Sequence, residues 1–144
     1  MKEKLLISAC LCGKNTKYSG GNNLIERLDE LQQKYDLYLI CPEVDGGLTT
    51  PRNPSEQLGE KVVSNKGVDV TNEFNLGSKI ALEVALKNNI KKALLKESSP
   101  SCGTHKIYDG TFSGKKIQGM GVAAKLLKEN GIEVYSDEEI EKLL

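Results

Sequence analysis

LIERLDELQQKYDLYLIC, residues 24–41, is the stretch on which the fold turns. Its first part places Leu24, Leu28, Leu31 and Tyr35 at alternating four- and three-residue steps, which predicts one buried stripe on an amphipathic helix. Its last part, DLYLI at 36–40, is nearly all apolar, as expected of a strand covered on both faces. A helix feeding directly into such a strand is the second half of a βαβ unit. Upstream, KLLISA at 4–9 supplies the first strand; downstream, KKALLK at 91–96 and IEVYS at 132–136 supply two more. The helices between them begin at Thr71, read as a cap, and at Val122, the first with Ile80, Ala81, Val84 and Leu86 facing the core. A short final helix opens with Ser136 and Glu139 at capping-box spacing. Strands alternating with helices imply an α/β, three-layer sandwich with a mainly parallel, Rossmann-like sheet and right-handed crossovers. The expected organisation is one domain over residues 1–144.

Two long segments interrupt the alternation. Residues 42–66 hold a Gly-Gly pair and several prolines and read as a long functional loop. Residues 97–121 are rich in glycine and serine, with IYDGTF reading as a small hairpin turning at Asp109-Gly110. Both follow strands. In an open α/β sheet, sites form beyond the carboxyl ends of the strands.

Composition narrows the classes. With 20 basic and 20 acidic residues the chain has no net charge, so no overall field draws it to nucleic acid or to an anionic membrane. No apolar run reaches the roughly 18–20 residues needed to cross a bilayer. The opening MKEKLLISACLCGK has the flank of a signal peptide, but it reads better as a strand, and a cytoplasmic setting is expected. In a reducing compartment four cysteines imply metal binding or catalysis more than disulfides.

Cys10, Cys41 and Cys102 follow the first three apolar strands, each among Pro, Gly or Ser. A parallel sheet would bring such positions to one edge. Three converging thiols point to a soft metal or an iron–sulfur cluster with one coordination position open, because four protein ligands are the usual number. Cys12, two residues from Cys10, reads as a packed or spare thiol in preference to a fourth ligand. Glu43 stands two residues past Cys41 as a candidate general base, with Asp45 next in line. Ser99 and Ser101 precede Cys102, and Arg52 could clamp a substrate group or brace its own loop. Lys96 would pair with Glu97 or end a strand, and His105 reads as a locally bonded loop residue.

SACLCG at 8–13, KYSGG at 17–21, CPEVDGGLTTPR at 41–52, GVDVT at 67–71, LLKESSPSCG at 94–103, YDGTF at 108–112 and GMGV at 119–122 run in order along nearly the whole chain. Together they resemble the thiouracil desulfidases, domain-of-unknown-function family 523. The resemblance implies a [4Fe-4S] cluster on Cys10, Cys41 and Cys102 with one iron free to take the sulfur of a thiolated pyrimidine, base or nucleoside. It further implies catalytic roles for Glu43 and Ser101 and a non-redox, hydrolytic release of sulfide; Arg52 and Ser99, from their own place near the cysteines, are candidates for substrate binding. The partner would be a small molecule, with no membrane and no stable nucleic-acid complex. Two other classes compete: a non-enzymatic iron–sulfur or zinc-binding module, and a metal-free thiol enzyme with Cys102 as nucleophile near His105.

Overall fold

The computed structural model describes residues 2–144. Its centre is a four-stranded sheet of β1 (Glu3–Ser8), β2 (Tyr35–Ile40), β5 (Lys92–Leu95) and β8 (Glu133–Ser136), in the order β2-β1-β5-β8 with every pairing parallel. One face packs Leu5, Ile7 and Leu94 against Leu31 of α1 (Leu28–Lys34), Leu11 and Leu143. The other packs Leu6, Ala93 and Leu95 against Ala81 and Ala85 of α3 (Thr71–Lys87) and Ala124 and Leu127 of α4 (Val122–Glu129). Alternate residues of each strand thus serve opposite cores, which is the three-layer α/β arrangement expected. Among the described residues no helix is long and apolar enough to cross a membrane.

Several local expectations fail for identifiable reasons. α1 begins at Leu28, and Leu24 is exposed. The segment before it is drawn off the helix by backbone bonds from Asn23 to the Cys10 carbonyl and from Ile25 to the Leu11 carbonyl. Ile25, not Leu24, reaches the core, while Tyr35 is buried as the first residue of β2. β2 is an edge strand with β1 as its partner in the sheet, so Leu39 is exposed; an apolar run signals a strand but not its place in the sheet. The stripe of α3 runs through Phe74, Gly77, Ser78, Ala81 and Ala85, leaving Leu86 exposed. Thr71 lies inside α3 and its hydroxyl accepts the Val62 N–H, whereas Asp69 receives the Thr71 N–H in the capping role. The final helix is a 3-10 turn, Asp137–Lys142, with the Ser136/Glu139 capping box formed as expected.

Residues 42–66 are not one loop. They hold a one-turn helix α2 (Pro42–Asp45) and an antiparallel hairpin of β3 (Ser55–Leu58) and β4 (Lys61–Ser64). The later hairpin pairs β6 (Lys106–Tyr108) with β7 (Lys116–Gln118), so its connection is wider than an Asp-Gly turn and spans 109–115.

Candidate active site

After β1 the chain places β2 on one side, then crosses to place β5 on the other. This reversal opens a crevice at the carboxyl ends of β1 and β5, the place where open α/β sheets bind ligands. A cavity of about 650 Å³ lies there. Cys10 reaches it from the 3-10 turn Ala9–Cys12 that follows β1. Cys41 comes from the junction of β2 with α2, and Cys102 from the turn after β5. Glu43, Arg52, Ser99 and Ser101 line the same cavity. Cys12, Asp45 and His105 do not: Cys12 packs beside Leu11 against the core, and the Asp45 carboxylate accepts the Cys41 N–H at 3.1 Å. The His105 ring turns outward to Glu139 at 2.7 Å.

Glu43 is held on two sides. α2, which carries it, lies on α3 at Gly77, where any side chain would collide with the Pro42 backbone. Arg52 Nε donates to Glu43 Oε1 at 3.1 Å, and Ser101 Oγ donates to Oε2 at 3.0 Å. Both ends of the ion pair are largely buried, so water screens it little. The rest of the Arg52 guanidinium binds the Thr49 and Thr16 carbonyls and the Thr50 hydroxyl, which ties two loops together. Ser101 is fixed from behind, since the first N–H groups of α4, on Val122 and Ala123, bind the Pro100 and Ser101 carbonyls. Ser99 Oγ accepts the Ser101 and Cys102 N–H groups and lies 3.0 Å from Ser101 Oγ. The result is a hydroxyl chain, Ser99 to Ser101 to Glu43.

Three residues that sequence reasoning missed complete the walls. Glu97 Oε1 accepts the N–H groups of Ser98, Thr104, His105 and Lys106 at 2.9–3.1 Å. Burial alone would raise its pKa, but these four bonds outweigh burial and hold the carboxyl below the usual range. Lys96 pairs with Asp137, not with Glu97. From β3, Gln57 Nε2 donates to the Pro100 and Met120 carbonyls, and Glu56 accepts from the 109–112 turn. No short motif marks Glu56 or Gln57, and Glu97 lies in the LLKESSPSCG block without its role showing; the partners of all three are backbone groups brought near by folding.

The electrostatics favour a cationic group among the thiols. Burial raises the pKa of Cys10, Cys41 and Cys102, the last to about 12, so without a cation they stay protonated at neutral pH. A charge on Cys41 raises Cys10, and a charge on Cys10 or Cys41 raises Cys102, so the three thiols share one locality. Each also has a donor that favours its thiolate: Asn23 for Cys10, the Val44 N–H for Cys41, and Ser8 and Ser101 for Cys102. The Thr16 hydroxyl, buried with no hydrogen-bond partner, stands beside Cys41 and would find one in its thiolate. Among the described residues no three His, Cys, Asp or Glu side chains converge on the position of a single metal ion. A mononuclear zinc site needs ligands about 2.0–2.3 Å from one ion, whereas the ligand sulfurs of a cubane stand roughly 6–7 Å apart.

The 2-thiouracil desulfurase family matches residues 5–139. The chain belongs to that family. It is 40% identical over 150 residues to the uncharacterized protein YbbK of Bacillus subtilis (strain 168), a match covering 97% of this chain and 99% of YbbK. Among solved structures it is similar to the [4Fe-4S]-dependent thiouracil desulfidase TudS, with a TM-score of 0.94 and 44% identity, covering 99% of this chain and 95% of that one. The family, the parallel α/β architecture and the resemblance read from the sequence blocks therefore agree.

Proposed function

We propose that this chain is a [4Fe-4S]-dependent desulfidase that hydrolyses the C=S group of a thiolated pyrimidine, thiouracil or its nucleoside, to the carbonyl product and hydrosulfide. Cys10, Cys41 and Cys102 hold the cluster. When bound, it supplies one iron without a protein ligand, a Lewis acid suited to a soft sulfur donor. The observation that carries the reading is the meeting of these three thiols with a Glu43–Ser101 pair in one cavity. A carrier or sensor needs only the ligands. A thiol nucleophile needs a base, and the His105 ring is turned to Glu139 while burial holds the Cys102 thiol at about 12.

Glu43 acts as general base. Arg52 orients its Oε1, and Oε2 exchanges its Ser101 bond for a water. Water attacks the thiocarbonyl carbon as Glu43 takes one of its protons. The C–S bond then breaks as sulfur departs with the electron pair and takes the proton held by Glu43, while the second proton of the attacking water leaves the new C–O group as the carbonyl forms, so hydrosulfide and one proton are released. One water is consumed and no electron is exchanged, so no reductant is required. Single-turnover desulfuration of 2-thiouracil in isotopically labelled water tests this. Label in the new carbonyl is expected, with one hydrosulfide per product. Unlabelled product, or a need for added reductant, would overturn the hydrolytic reading.

A further inference from the structure

Beyond the thiols and the Glu43 pair, the cavity has an aromatic side. Tyr18, Tyr108 and Phe112 line it. Their situations differ. The Lys116 ammonium lies 5.5 Å from the centre of the Tyr108 ring, so one face of that ring is occupied. Tyr18 sits in the segment that carries Thr16, bound through its carbonyl to the Arg52 N–H. Phe112, 39% exposed, is the one whose ring carries no polar tip.

Its placement is built. Phe112 adopts φ +56°, a left-handed conformation that bulky residues rarely take. Glu56, which is 9% exposed, stabilises it by accepting the Gly110 N–H at 2.9 Å and the Phe112 N–H at 3.2 Å on one carboxylate oxygen. Gly110, at φ +94°, lies so close to the Gln57 carbonyl that a side chain there would collide with it. The 109–112 turn is therefore clamped to β3, and the same strand grips Pro100 and Met120 through Gln57. One rigid strand sets the distance between the aromatic turn and the Ser101–Cys102 wall.

We infer that Phe112 is the stacking platform that selects planar heterocyclic thiocarbonyls, and that Glu56 is the positioning residue that holds it in place. This rests on the desulfidase reading above. A pyrimidine-2-thione has a π face with few polar groups, and burying it against a fixed ring supplies binding that the thiols and Glu43 do not. The ring touches no reacting atom, so its contribution falls on binding and not on the chemical step.

The test uses anaerobically loaded protein with 2-thiouracil. Phe112→Ala should raise KM about 5- to 150-fold, the usual weight of one base–aromatic stack, with kcat within a few-fold of wild type. The cluster absorption spectrum should be unchanged, and Phe112→Tyr should restore a near-normal KM. Glu56→Ala should move KM in the same direction by a smaller factor. A Phe112→Ala enzyme with wild-type KM, or one that loses kcat alone, would overturn the platform. A loaded wild-type protein inert toward 2-thiouracil would instead sink the desulfidase reading.

Discussion

Two glutamates follow two strands of the same sheet, and the structure uses them in opposite ways. Glu97, just past β5, gives one oxygen to four backbone N–H groups and knits the turn that presents Ser101 and Cys102. Glu43, just past β2, gives its oxygens to the Arg52 guanidinium and the Ser101 hydroxyl. A carboxylate gripped through one oxygen by four backbone donors is fixed in place, because releasing it exposes several buried N–H groups at once, even though Glu97 Oε2 is itself buried without a partner. One held by side chains keeps its orientation and can still trade a partner for water. The proposed reaction asks for both kinds, one to shape the turn and one to move protons.

The comparison breaks most visibly at Glu97. Glu97→Ala should lower unfolding free energy by at least about 3 kcal/mol, since several buried donors lose their acceptor together. Urea unfolding reads the stability and iron analysis reads the cluster, which should be lost with the turn. A Glu97→Ala protein of normal stability and iron content would show that the turn does not depend on this carboxylate.

Glu43→Gln should leave cluster content near wild type while turnover falls by about 10²–10⁴-fold, the usual weight of general base catalysis. Substrate should still perturb the cluster spectrum in an anaerobic titration. Retained turnover would remove Glu43 from the chemistry, and lost cluster would make it a second Glu97.

The smallest effect is in the acid range. The folded pKa of Glu97 lies below its unfolded value, so its stabilisation is complete above the ordinary carboxylate range and is lost as pH falls through the folded value. Glu97→Gln should flatten the acid limb of the stability curve relative to wild type. Parallel curves for the two proteins below about pH 4 would contradict the direction of that shift.

The parts of this molecule that sequence could reveal are those whose signal is local. β1, β2, β5 and β8 announce themselves as short apolar runs, and Cys10, Cys41 and Cys102 are conspicuous because each follows such a run. Glu43 and Ser101 could be singled out because they adjoin those cysteines. Glu97 sits in the same ESSPSC block yet looked like a partner for Lys96, because a carboxylate that binds backbone leaves no partner residue to find. Thr16, Asn23 and Glu56 were invisible for a related reason: their roles arise from chain segments that meet only on folding. The edge position of β2 and the β3–β4 hairpin are likewise properties of sheet order and of four-residue strands, too short to carry a period.

The central claim is that Cys10, Cys41 and Cys102, without Cys12, hold one cluster beside Glu43. Iron and sulfide counting after anaerobic reconstitution of the four single Cys→Ala variants tests it most directly. Wild type and Cys12→Ala should carry about four iron and four sulfide per chain and release sulfide from 2-thiouracil, while the other three variants should carry little of either and be inactive. A full iron complement with normal turnover in Cys41→Ala, or loss of iron in Cys12→Ala equal to that in Cys102→Ala, would contradict the account.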